Sequence, residues 1–321
     1  MRRLTRSIIM AAAMVGMATA AHAWEPKGAV QLIVPFSPGG GSDVNARVLV
    51  DAIRSNDLTD ANIIVKNMTG GSGAVAATYV ASRPGDGMTL MSYVSGQVMI
   101  AAATNADVTL EDFTPIGTLA LDTLLLVVTK ESGIESFADL LEAAEAAPNS
   151  VTIGGTGRGA EDNMVFEMLN EMGDSPLQYV PFDGGGQVLA ALLGGHITAG
   201  IFNPSEMESQ VRSGNVTPIG AFAAERLGGA YADTPTFTEL GYPDAKLVTF
   251  RGYVGPADMD PEALAYWDGV LAKVAETPEW KDYISKNSLV ASYMNAEESA
   301  TFWREEKARY IKLLTAIGII E

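Results

Sequence analysis

The chain has 321 residues, with 39 acidic and 21 basic side chains, two histidines and no cysteine. A net charge of −18 disfavours nucleic acid and anionic membrane surfaces as partners. Without cysteine there are no disulfides, thiolate metal sites or cysteine nucleophiles. His22 and His196 are too few for a histidine metal cluster, and His196 sits in a helix-to-strand turn that suits a structural or solvent-facing role.

Residues 1–23 read as a secretory signal peptide. Arg2, Arg3 and Arg6 form a basic n-region, Ile8 to Ala20 an apolar run, and Ala21-His22-Ala23 a small-x-small cleavage site. The residues flanking the arginines fit general secretion better than the twin-arginine route. The apolar run is short for a membrane span, and no later segment reaches 18 uninterrupted apolar residues. The mature chain is expected to start near Trp24, exported and long enough for two domains. Loss of three arginines makes it more acidic still.

Val30 to Val34 reads as a strand, and a helix begins near Asp43, since Val44, Val48, Leu49, Ala52 and Ile53 recur on one face. Between them lies Pro35-Phe36-Ser37-Pro38-Gly39-Gly40-Gly41-Ser42-Asp43, with Ser42 or Asp43 as N-cap. Backbone N–H groups of Gly41, Ser42 and Asp43, beside the positive end of a helix dipole, suit an anion. Strands follow at Asn62 to Lys66, Met88 to Tyr93 and Thr123 to Thr129, separated by a Gly70-Gly71-Ser72-Gly73 turn, a small-residue helix through Ala81 and the Ser82 to Gly87 turn. A helix over Ser136 to Ala147 stops at Pro148-Asn149.

The strand–glycine–helix theme then recurs. Val151-Thr152-Ile153 enters Gly154 to Gly159 before a Met-rich helix, and Tyr179 to Phe182 enters Asp183-Gly184-Gly185-Gly186 before a helix through Leu193. Ile197 to Phe202, Val216 to Phe222 and Leu247 to Val254 read as strands. Helices near Pro261 to Ala275, Pro278 to Lys286 and Glu297 to Ile317 finish the chain. The alternation predicts an α/β protein with mainly parallel sheets and helices on both faces.

Catalytic signatures are weak. Two G-x-G-x-x-A matches, at Gly71 and Gly155, lack the acidic ribose anchor about 20 residues on. There is no G-x-S-x-G elbow and no phosphate-binding G-x-x-x-x-G-K-[ST] loop. Abundant carboxylates leave an exported hydrolase open in principle, but nothing selects one pair. Gly/Ser/Thr-rich turns at the carboxyl ends of strands point to capture rather than conversion.

These residues carry a resemblance. Val34 to Asp43 with Ala46-Arg47, then Gly70 to Gly73, Arg83 to Leu90, Asp112 to Gly117, Val180 to Gly186, Leu192 to Gly195 and Thr234 to Gly241 are together similar to the tripartite tricarboxylate transporter receptors, the Bug proteins. The match runs in order along nearly the whole mature chain.

The resemblance implies a two-lobed, type II periplasmic binding protein that closes like a flytrap, with no catalysis, cofactor or metal. It implies lobe 1 from 24–123 plus 248–321 and lobe 2 from 124–247. A monomeric receptor would capture a small di- or tricarboxylate in the periplasm and deliver it to membrane permease subunits, without nucleic acid. A sensor that presents its closed form to a signalling receptor is the alternative.

Carried onto this sequence, the first ligand loop is Phe36, Gly41, Ser42 and Asp43, and the opposing loop is Thr156, Gly157, Arg158 and Gly159. Ser95, Gln97, Phe182, Asp183 and Asn203 are further candidates by position. Arg158 either clamps a distal carboxylate, or lies over the loop and faces solvent, or pairs with Glu161 or Asp162. Arg251 either lines the cleft or braces the hinge, and Arg47 supports the first loop.

Overall fold

The structure, a computed structural model, describes residues 24–173, 176–316 and 318–320. The expected signal peptide lies outside the described residues. The first elements are β1 (Ala29–Val34), α1 (Gly41–Ser55), β2 (Asn62–Asn67), α2 (Ala74–Ala81), β3 (Thr89–Val94), α3 (Ser95–Thr104) and β4 (Phe113–Asp122). Then come β5 (Leu125–Thr129), α4 (Phe137–Ala146), β6 (Thr152–Thr156), α5 (Glu161–Met172), β7 (Gln178–Phe182), α6 (Gly185–Leu193), β8 (Ala199–Phe202), α7 (Pro204–Arg212) and β9 (Val216–Ala221). The chain closes with β10 (Thr249–Pro256), α8 (Pro261–Glu276), α9 (Pro278–Lys286), β11 (Val290–Met294) and α10 (Ala296–Ala316).

The strands form two sheets, and with them two lobes. One has the order β11-β4-β10-β3-β1-β2, the other β7-β6-β8-β5-β9. The chain changes sheet between Asp122 and Leu125 and returns between Ala221 and Thr249. The two passages lie side by side, for Leu124 O accepts from Phe222 N–H at 2.9 Å and Phe222 O from Leu247 N–H at 3.0 Å.

The strand–loop–helix units pair in parallel, β1 with β2 and β3, and β6 with β7 and β8. The sheets are nevertheless mixed. Strands at the passages, β4, β5 and β10, run antiparallel to their neighbours, because a chain that leaves a sheet and later re-enters it returns in the opposite direction. Every position of β3 and β10 is buried, as expected of central strands covered on both faces.

Helix α1 starts at Gly41, earlier than the apolar periodicity suggests, and its N-cap is Gly40 rather than Ser42 or Asp43. Ser42 and Asp43 therefore lie in the first turn. β4 went unread because Thr114-Pro115 and Gly117 resemble a turn; all are absorbed in a strand that pairs on both edges. α3 begins directly after β3, so Ser95 to Gln97 form a helix N-terminus.

The C-terminal helix anchors the six-stranded lobe through Trp303. Its indole is fully buried, stacks on Phe250 with centroids 5.0 Å apart, and donates to Thr118 Oγ1 at 3.0 Å. Only glycine fits beneath it at 252, where a Cβ would sit 2.3 Å from the ring. Trp303→Ala should cost about 3–5 kcal/mol of stability, read as a lower urea midpoint. Arg304→Ala, exposed and adjacent, should stay within about 0.5 kcal/mol of the parent.

Candidate functional site

The carboxyl ends of β1, β6 and β8 face each other across the gap between the sheets. The loops and helix N-termini that follow line a small, partly open cavity of about 20 Å³, bordered by Phe36, Gly41, Ser42, Thr156, Asn203 and Arg251 together with Glu161, Asp162 and Glu206. That volume suits one or two waters, so any larger ligand enters only when the lobes part. The closed interface is backbone against backbone. A Cβ on Gly184 would lie 2.3 Å from Ser37 Oγ, and one on Gly186 2.4 Å from Pro38 O.

The amides expected to grip an anion are largely engaged by the protein itself. Gly41 N–H donates to Glu206 Oε1 at 2.6 Å, across the lobes. Glu206 Oε2 accepts from Asn203 N–H at 2.9 Å, at the start of α7. Asp43 N–H goes to Gly40 O, Gly157 N–H to Phe182 O, Thr156 N–H to Asp162 Oδ2 and Gly159 N–H to Asn163 Oδ1. The expectation that these turns present free donors is therefore overturned at Gly41, Asp43, Thr156, Gly157 and Gly159. First-turn acids of α7 and α5 take the amides of Gly41 and Thr156, the backbone carbonyls of Gly40 and Phe182 take those of Asp43 and Gly157, and the Asn163 side chain takes that of Gly159. Donors that would otherwise attract an outside anion are thus satisfied within the protein.

Asp43 illustrates this. Its carboxylate accepts from Gly39 N–H, from Arg47 and from Asn67, all at 2.9–3.0 Å. Burial alone would push its pKa up, but bonds from Arg47, Gly39 and Asn67 hold it below the ordinary value. Arg47 thus braces the loop, and the Asp43 side chain is spent on loop geometry.

Arg251 occupies the centre of the cleft. Its Nε and Nη2 donate to Asp122 Oδ2 at 2.9 and 2.5 Å, with both side chains at most 3 % exposed. Nη1 reaches Ser42 Oγ at 3.5 Å. Both alternatives for Arg251 are met in space: it lines the cavity, and it ties β10 to β4 where the chain leaves the first sheet. Burial opposes its charge, but Asp122 raises its pKa further and keeps it protonated. Gly41 makes room, since a Cβ there would fall 2.8 Å from Arg251 Nη2.

Other sequence candidates fall elsewhere. Arg158 is exposed and, with Gln97, lines a separate cavity of about 480 Å³ beside the Gly71–Ser72–Gly73 turn. Ser95 is buried under Phe250, whose N–H it accepts at 2.9 Å, and bonds Tyr310 at 2.8 Å. Asp183 is exposed and Phe182 partly so, and neither lines the inner cavity. His196 is exposed in its turn.

Sequence reasoning named Glu161 and Asp162 only as partners for Arg158, and missed Glu206. The first two stand after Gly159-Ala160 as Ser42-Asp43 stand after Gly40-Gly41, and Glu206 is the N3 residue after Asn203-Pro204, a local capping signal. Burial raises the pKa of Glu161 and raises that of Asp162 well above the ordinary value, with Glu161 repelling Asp162 as the second cause. Desolvation likewise lifts Glu206 to about 7, against the pull of its bonds from Asn203 and Gly41. Two unit charges 4 Å apart in such a site interact by about 4 kcal/mol, so crowding opposes the ionisation of all these acids at once.

The sequence pattern described as "Tripartite tricarboxylate transporter family receptor" matches residues 46–319. The chain belongs to this family. It is 28 % identical over 243 residues to "Protein BugT" of Bordetella pertussis, covering 74 % of each chain. The structure superposes on periplasmic binding protein BugD with a TM-score of 0.85 at 20 % identity, covering 92 % of this chain and 99 % of that one. MatC of Rhodopseudomonas palustris, solved with bound malate, superposes at 0.81 and 23 % identity, covering 90 % and 99 %. As a tripartite tricarboxylate transporter receptor, the protein is a solute-binding protein with the two-lobed fold of periplasmic binding proteins. Among the described residues no helix is long and apolar enough to cross a membrane.

Glu206 bound as an acceptor between lobes gives a testable pH dependence. Its folded pKa of about 7 lies above the carboxylate's ordinary 4.5, so the folded state holds the proton more tightly. The stabilising contribution is present in acid and is lost as pH rises from about 4.5 to about 7. Thermal midpoints should fall over that range, and Glu206→Gln should flatten the slope by on the order of 1–2 kcal/mol between pH 5 and pH 8.

Proposed function

We propose that this receptor captures a small organic acid between its lobes in the periplasm and delivers it to membrane permease subunits. The observation that carries this reading is convergence. Loops from both sheets meet on one cavity, lined by a permanently charged Arg251 and by the Ser42 hydroxyl that its Nη1 reaches. A ligand touching both lobes favours the shut state by its differential contacts, and the paired passages near Leu124 and Leu247 give the closure its hinge. Malate bound to MatC supports an organic acid as the ligand class.

The cleft does hold carboxyl groups with raised pKa, the raw material of a hydrolase. Asp162 and Glu206, however, are committed to backbone N–H donors, which supports holding rather than proton transfer. Arg251 and its Asp122 partner have a positioning role at the crossing. Removing the guanidinium leaves Asp122 buried and unpaired, so Arg251→Ala should cost about 3–5 kcal/mol, in addition to ligand binding.

Two measurements test the reading. A small acid at 100 times its Kd should stabilise the wild-type protein by about 2.7 kcal/mol, visible as a raised melting temperature; no shift from any organic acid would refute capture. Gly186→Ala places a methyl group against Pro38 O of the other lobe at a helical position that favours alanine. It should leave the ligand-free protein folded yet weaken binding at least tenfold by propping the lobes apart.

A further inference from the structure

The acids at the cleft are arranged in a way that a receptor for multiply charged anions does not require. Glu206 lies on Gly41 N–H at the N-terminus of α1, the position at which a helix attracts a ligand carboxylate. Arg251 has two of its three nitrogens on Asp122, so its charge is largely balanced within the protein. Apart from Arg251, the charged side chains that line the cavity, Glu161, Asp162 and Glu206, are all acidic.

Glu161 is the informative member. It is 7 % exposed and lines the cavity, and its Oε2 is buried without a hydrogen-bond partner among the described residues. Its position is built into the backbone, because a Cβ on Gly96 would fall 1.9 Å from that oxygen. A buried carboxyl oxygen left without a donor is costly unless something supplies one. Arg158 does not: it lines the other cavity. Nor do these acids form a chelate, since among the described residues no three His, Cys, Asp or Glu side chains are placed to hold a metal ion.

We propose that the ligand carries an ammonium group, which donates to Glu161 beside Asp162, while Glu206 fills the α1 anion position and so selects against dicarboxylates. This rests on the reading of the protein as an organic-acid receptor and narrows it to an amine-bearing acid. The ligand carboxylate then falls to the remaining capacity of Arg251, Nη1 beside Ser42 Oγ. An ammonium has three donors and no acceptor, and supplies what the Glu161 oxygen lacks. A second ligand carboxylate would instead face Glu161 and Glu206.

The experiment is calorimetric titration of the mature protein at pH 7.5. The probes are the dicarboxylates from malonate to adipate, the amino acids and diamines of matched backbone length, and aspartate and glutamate. The tightest binder should carry an ammonium and exceed its matched dicarboxylate at least tenfold. Glu161→Gln should weaken that ligand at least tenfold, with dicarboxylate affinity unchanged or improved and the ligand-free melting temperature unchanged or higher. Dicarboxylates binding as tightly as their amino counterparts, or a preference that survives Glu161→Gln, would overturn the inference and leave the organic-acid reading standing. Binding of diamines alone would refute the organic-acid reading and with it the amine-bearing acid, and binding of nothing would remove both.

Discussion

One carboxylate holds the two halves of this protein in register. Glu206 accepts a backbone N–H from Asn203 in its own lobe and another from Gly41 in the opposite lobe. Both bonds are charge-assisted when the group is ionised, and each ends at a helix N-terminus where the dipole favours negative charge. The arrangement depends on missing side chains. A Cβ on Gly185 would lie 2.0 Å from Glu206 Oε1, and one on Gly41 would strike Arg251 and Asn203. The glycine-rich loops are thus as much clearance for neighbouring side chains as they are donors.

From that constraint the electrostatics of the cleft follow. Three helices that open toward the gap supply their own acids: Asp43 on α1, Asp162 on α5 and Glu206 on α7. Among the described residues the one deeply buried cation, Arg251, is held by Asp122. A chain with strong overall negative charge therefore also gathers acidic side chains around the cavity between its lobes. Affinity must come from what the ligand adds to this field, and closure must bring the ligand's charges into contact with fixed partners rather than with mobile surface groups.

Much of the architecture was legible. Apolar periodicity located α1, and the recurrent strand–glycine–helix units gave the parallel parts of both sheets. β4 and α3 were hidden because Pro115, Gly117 and Gly96 read locally as breakers, whereas pairing on both edges and burial override propensity. At the site, Phe36, Gly41, Ser42, Thr156 and Asn203 were placed together from sequence and line one cavity. Arg158, chosen for its charge, lines another. Glu206 showed only a helix-capping signature, since its reach to Gly41 spans 165 residues and is set by how the lobes meet. No local pattern encodes that.

The most direct test is a high-resolution crystal structure of the protein with its tightest-binding solute. The account predicts Glu206 still bonded to Gly41 N–H, with a ligand nitrogen at hydrogen-bond distance from Glu161. A ligand carboxylate on Gly41 N–H, with Glu206 turned away, would contradict it.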